Sequence, residues 1–148
     1  MLIVAGANPF GWILSLNRIP EQVSTLMLSI TSSKIGILFL INILLLIMGM
    51  FMETNAIVLL LAPILVPVAL RIGVDPVHFG IIMVVNLCIG LATPPVGLNL
   101  YVAASISGIS FERVTRAVIP FVLVEVGILL LITYIPEIIL VPLQIFGM

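Results

Sequence analysis

The sequence predicts an all-α integral membrane protein made of a re-entrant helical hairpin, one discontinuous transmembrane helix and flanking helices. Three observations carry that expectation. Of 148 residues, 63% are hydrophobic and 7% charged, against about 25% charged in a soluble domain. Several apolar runs approach the length of about 20 residues that a membrane-crossing helix needs. Two of them are interrupted, at 53–55 by Glu-Thr-Asn and at 90–97 by a stretch holding Pro94, Pro95 and two glycines.

The same composition excludes other classes. A formal net charge of −1 is far from the basic balance of a nucleic-acid binder. One cysteine, Cys88, and one histidine, His78, make no cluster with metal-ligand spacing. No GxSxG, HExxH or phosphate-binding glycine loop is present, so the chain does not read as an enzyme.

Residues 1–34 read as the end of a preceding membrane helix followed by an interfacial or supporting helix. Met1 to Ala7 is apolar without a basic n-region or a small-residue cleavage site, unlike a signal peptide. Asn8, Pro9 and Gly11 then interrupt the run. Pro20 suits the first turn of a helix starting near Glu21. Val23, Leu26, Met27 and Ile30 recur at helical spacing, opposite Gln22, Ser24 and Thr25.

Residues 35–71 read as the re-entrant hairpin. Ile35 to Met52 is free of charge, Glu53-Thr54-Asn55 forms the tip, and Ala56 to Leu70 returns, only about 22 Å long at 1.5 Å per residue. Lys34 and Arg71 then mark one membrane face, and Pro63 and Pro67 are expected to kink or shorten the returning arm. If both arms instead cross the bilayer, Glu53 is a solvated loop carboxylate.

Residues 72–107 read as the discontinuous helix. Asp75 is a good N-cap before Pro76, the helix should reach about Ile89, and the adjacent prolines break it until Leu98. Residues 108–148 read as a C-terminal span and tail: Ser110 is placed to cap a helix from Phe111 to about Tyr134, ending near Pro136. The positive-inside rule would put the loop before this span, with Arg113 and Arg116, in the cytoplasm, but Lys34 and Arg71 on the other face match that count, so charge alone does not decide the orientation.

Non-helical backbone at membrane depth leaves amides and carbonyls that protein, water or an ion must satisfy. In secondary transporters such breaks hold ions and anionic substrates, because half-helix C-termini favour cations and N-termini favour anions. A tip at 53–55 facing a break at 90–97 is therefore expected to form an oxygen-lined cage.

GMFMETNAIVLLLAPILVPVA, GVDPVHFGIIMVVNLCIGLATPPVGLNLYVAASISG, FERVTRAVIPF and LLITYIPEI resemble the C-terminal portion of the large membrane subunit of TRAP transporters, the DctM family. The resemblance is most specific at Asp75 to Gly80 and from Asn86 to Asn99. It implies one repeat of an inverted-repeat, elevator-type importer of organic acids such as C4-dicarboxylates or sialic acid, driven by sodium. It further implies a small membrane subunit, a periplasmic substrate-binding protein, and a bacterial inner-membrane location. One hairpin and one broken helix leave the N-terminal repeat missing, so the segment is expected to be inactive by itself. The competing readings are another ion-coupled anion carrier and a non-transporting assembly subunit.

Within this frame Glu53, Thr54, Gly90, Thr93 and Gly97 are the expected sodium neighbours, with Ala92 as a further carbonyl donor, and Asn55, Pro94, Pro95 and Asn99 the expected substrate neighbours. Each has a purely structural alternative: Glu53 as a tip lock, Thr54 and Asn55 as helix caps, and Thr93 as a satisfied hydroxyl in a proline kink. Asn86 reads as a bridge between packed helices. Glu125, about 13 Å along a helix from Arg116, falls near mid-membrane without a visible partner. His78 reads as interfacial, Cys88 as buried packing, and Met48, Met50 and Met52 as core.

Overall fold

A computed structural model describes residue 13, residues 16–31 and residues 33–145. The expected membrane-helix end at the N-terminus lies outside the described residues. Seven helices are described: α1 (Ile19–Ile30), α2 (Lys34–Phe51), α3 (Thr54–Arg71), α4 (Pro76–Leu91), α5 (Leu98–Ser107), α6 (Phe111–Tyr134) and α7 (Glu137–Ile145). By length and composition α2, α3 and α6 are each able to cross a membrane.

α2 stops at Phe51 because Met52 and Glu53 are both extended, with φ/ψ of −130/157° and −71/140°. This two-residue turn sends the chain back as α3. Pro63 and Pro67 do not shorten that arm: α3 is helical over 18 residues, about 27 Å at 1.5 Å per residue. Each proline removes one donor, and contacts of α3 with α1 and α4 hold the helix through both positions.

α4 starts as its sequence demands. Asp75 Oδ1 accepts from the amides of Val77 at 2.9 Å and His78 at 3.1 Å, and Pro76 fills the first turn, where no donor is needed. Gly108, at φ 67°, closes α5 in the left-handed region that glycine enters without strain. Ser110 stands at the N-cap of α6, but its side chain makes no capping bond; its carbonyl accepts from Arg113 and Val114 instead. The chain resumes as α7 after Pro136, where the sequence reading expects only a tail.

α4 is the central helix. The arms of the hairpin pack more extensively on it than on each other, α6 covers another side, and α1 lies against α3. Ile37, Ile41 and Leu45 of α2 and Ile57, Leu65 and Val68 of α3 form one core with Phe79, Met83 and Leu87 of α4. Ile82 and Ile89 of α4 join Val122 and Leu129 of α6 in a second. At the open end of the hairpin, Lys34 Nζ donates to the Gly73 carbonyl at 2.9 Å and His78 Nε2 to the Ile132 carbonyl at 2.8 Å. His78 is thus buried and anchored to α6.

Candidate functional site

At the other end of the hairpin, the tip and the helix break come together. Two glycines make the approach possible: a Cβ on Gly90 would lie 2.7 Å from the Cα of Gly49, so α2 and α4 touch backbone to backbone. Beyond this contact the Gly97 amide donates to the Met50 carbonyl at 3.2 Å, tying the unwound segment to the last turn of α2. Gly97 holds φ 55° to do so, and its N-cap position leaves α5 without a side-chain cap.

Four helix ends therefore converge. The C-terminal turns of α2 and α4 bring carbonyls that lack intrahelical donors, and the N-terminal turns of α3 and α5 bring free amides. Glu53 occupies one of these ends itself. Its Oε2 accepts from the Ala56 amide at 3.0 Å and its Oε1 from Asn55 Nδ2 at 2.6 Å. Glu53 and Asn55 thus lock the tip, and the N-terminus of α3 already faces a carboxylate.

Thr93 is buried, and its hydroxyl proton is directed to the Ile89 carbonyl at 2.6 Å, which leaves the oxygen lone pairs for another partner. Its amide bonds to the Gly90 carbonyl at 2.9 Å, continuing the helical turn across Ala92. The Pro94–Pro95 peptide that follows is cis, with Pro94 half-buried and Pro95 exposed. Thr54 Oγ1, in the first turn of α3, is buried without a hydrogen-bond partner among the described residues. A buried hydroxyl oxygen without a partner is costly.

Asn99 belongs to a different place. It is exposed and lines a groove with Cys88 and Glu125. Cys88 is correspondingly exposed rather than buried, because α4 turns His78, Ile82, Asn86 and Ile89 inward and leaves Val84 and Cys88, four apart, on the other face.

A buried polar chain runs beneath the tip. Asn86 Nδ2 donates to Asn42 Oδ1 at 2.8 Å and to the Asn42 carbonyl at 3.1 Å, and Asn42 Nδ2 donates to Thr133 Oγ1 at 3.1 Å. Thr133 in turn donates to the Leu129 carbonyl at 2.7 Å. α2, α4 and α6 are stitched together by groups at most 3% exposed. Sequence reasoning assigned Asn86 this bridging role but missed Asn42 and Thr133. The signal was there: Asn42 and Gly49 are seven apart, Asn86 and Gly90 four apart, so each pair shares a helix face.

Residues 1–138 match the family described as Tripartite ATP-independent periplasmic transporter, DctM component. The chain belongs to the DctM family. It is 46% identical over 138 residues to the isethionate TRAP transporter permease protein DctMQ of Oleidesulfovibrio alaskensis, covering 93% of this chain and 22% of that protein. Identity to the C4-dicarboxylate TRAP transporter large permease protein DctM of Pseudomonas aeruginosa is 44%, over 93% of this chain and 32% of that one. The sialic acid TRAP transporter large permease protein SiaM of Vibrio cholerae is 42% identical, over 92% and 32%. This DctM-family chain therefore spans between about a fifth and a third of the length of these relatives. They are transporter permeases, and its apolar helices make it a membrane protein like them.

Proposed function

We propose that this segment forms part of the transport domain of a sodium-coupled TRAP importer of organic anions, in a bacterial inner membrane. The observation that carries the reading is the Gly97–Met50 hydrogen bond, which puts the tip of the hairpin at the break of α4 and α5. Neither α4, with 16 residues, nor α5, with 10, is long enough to cross alone; together they make one crossing broken partway. A tip held at that break is inside the bilayer, so the hairpin is re-entrant although each arm is long enough to span. The length of α3 does not support re-entrance; the tip's attachment does.

The helix ends divide the chemistry. Carbonyls at the ends of α2 and α4 carry partial negative charge, and Thr54 Oγ1, Thr93 Oγ1 and the Gly90 and Gly97 carbonyls offer the hard oxygen atoms that sodium requires. The unpartnered Thr54 hydroxyl fits that assignment. Because Glu53 already caps α3, the uncapped N-terminus of α5 beside Pro94 and Pro95 is the better seat for a substrate carboxylate. Asn55, bound to Glu53, orders the tip against it, whereas Asn99, although on the first turn of α5, faces the groove with Cys88 and Glu125 and is left out of this seat. Isethionate, C4-dicarboxylates and sialic acid, named for the relatives, share an anionic group and support that substrate class.

The relatives' greater length and the word tripartite in the family description support the remaining parts: a second repeat, a small membrane subunit and a periplasmic binding protein. The domain formed with the second repeat would cross the membrane as a body.

The test is uptake by the complete transporter in proteoliposomes, with and without a sodium gradient. Thr93→Val is expected to raise the sodium concentration for half-maximal uptake about tenfold, a cost of about 1.4 kcal/mol, and Thr93→Ser to preserve it. Uptake of equal rate without sodium overturns the coupling.

A further inference from the structure

A groove of about 410 Å³ runs between α4, α5 and α6, walled by Val84, Cys88, Ala92 and Ile128 with Asn99 and Glu125 as its polar groups. We propose that this groove seats a further helix of the same permease polypeptide, one that brings a lysine or arginine side chain to Glu125. The proposal rests on the reading above that this segment belongs to a longer permease.

The position of Glu125 is the first argument. It lies nine residues from Arg116 and nine from Tyr134 on the unbroken helix α6, about 13 Å from each at 1.5 Å per residue. A glutamate side chain is too short to reach either membrane surface from there, and an ionised group at mid-bilayer depth is costly unless it is paired or wetted.

The second argument is what surrounds it. Glu125 makes no hydrogen bond or ion pair among the described residues. All five basic residues of the chain, Arg18, Lys34, Arg71, Arg113 and Arg116, lie before a helix or within two turns of its end. None is on a helix at the depth of Glu125, so a matching cation must come from elsewhere. A groove that is apolar but for one carboxylate and one carboxamide complements a helix that is apolar but for one basic side chain, with Asn99 as a second hydrogen-bonding group.

The third argument is supply. The matched segment is 32% of the Pseudomonas aeruginosa relative, which leaves about two-thirds of that polypeptide to provide the helix. A helix from the same chain also reaches the groove without a separate binding equilibrium.

Cys88 stands in the groove and is exposed, which makes it the natural reporter position. In the complete transporter in native membranes, Cys88 is replaced by the photoreactive p-benzoylphenylalanine, and the adducts are mapped by mass spectrometry. The expected adduct is intramolecular, on a peptide with a lysine or arginine within one helical turn of the attachment point. Glu125→Gln should lower its yield at least about threefold. Glu125→Lys should reduce the folded permease, and reversing the identified partner's charge should restore it; if Glu125→Lys yields no protein, the Glu125→Gln adduct decides. An adduct with lipid or with a separate subunit, an intramolecular adduct without a nearby basic residue, no adduct, or a yield indifferent to Glu125→Gln each overturns the proposal. The readout is a covalent adduct rather than uptake, so the absence of sodium coupling leaves the test intact.

Discussion

Gly49 of α2 and Gly90 of α4 stand so close that a Cβ on Gly90 would lie 2.7 Å from both the Cα and the carbonyl carbon of Gly49. Backbone, unlike a side-chain end, has no rotamer by which to yield. The contact is therefore a fixed crossing point between hairpin and broken helix, a few residues below the tip.

Gly90→Ala is accordingly expected to lower thermal stability of the purified protein by an amount typical of core overpacking, about 1–3 kcal/mol. Gly49→Ala, with its nearest contacts at 3.1 Å, should cost less, and Gly127→Ala, with nothing within 4 Å, should cost nothing. Equal melting temperatures for Gly90→Ala and Gly127→Ala would contradict the close crossing.

The Asn42–Asn86 pair gives a second prediction. Asn86→Ala leaves the buried Asn42 Oδ1 without its donor, at an expected cost of about 1–3 kcal/mol. A double-mutant cycle on Asn42 and Asn86 should show a coupling of at least about 0.5 kcal/mol, against none for Asn42 paired with a distant residue such as Thr115. Additive losses would mean that the pair does not act as a unit.

Thr54 and Thr93 should part company when their hydroxyls are removed. Thr93→Val takes a donor from the Ile89 carbonyl and should destabilise the fold, whereas Thr54→Val removes an oxygen with no partner among the described residues; its cost should be near zero, or a gain of up to about 1 kcal/mol. In the complete permease, sodium at about 100 times its dissociation constant should stabilise by about 2.7 kcal/mol. Thermal unfolding in sodium against potassium then reads the site: Thr54→Val should shrink the sodium increment while leaving the potassium baseline intact. An undiminished increment would remove Thr54 from the sodium site.

The caps at Glu53 and Asp75 are separable by hydrogen exchange. Glu53→Ala should speed exchange of the Ala56 amide, and Glu53→Asp should retain protection, because aspartate caps equally well. Asp75→Ala removes the acceptor of two amides and should cost about 1 kcal/mol, with Asp75→Asn largely silent. Unchanged exchange at Ala56 in Glu53→Ala would show that the cap does not hold the tip.

Much of the helical layout was legible from residues alone. Phe111 to Tyr134 is helical from end to end, as the span expected between Ser110 and Pro136, with Pro120 and Glu125 inside it. Asp75-Pro76 starts α4, and Pro94-Pro95 with Gly97 separates it from α5. Pro63 and Pro67 are weaker breakers than the sequence alone suggests, because a proline costs one donor but neighbouring helices decide whether the helix ends. α7 is not legible in the sequence because Pro136 reads as a stop, whereas proline equally precedes a new first turn.

By itself, the sequence determined that this is a helical membrane protein, roughly where its helices other than α7 begin and end, and that Glu53-Thr54-Asn55 and Pro94-Pro95 interrupt the apolar runs. Those properties are local: caps, prolines and apolar runs act over a few residues. The tertiary structure alone decided that Gly97 bonds to Met50, that Asn42 joins Asn86, which is 44 residues away, and that Asn99 turns toward Cys88 and Glu125 rather than the tip. Helical periodicity reports which face of a helix is apolar and is silent on which neighbour will cover it. In helices apolar on nearly every side, close backbone approach and a few buried hydrogen bonds make that choice.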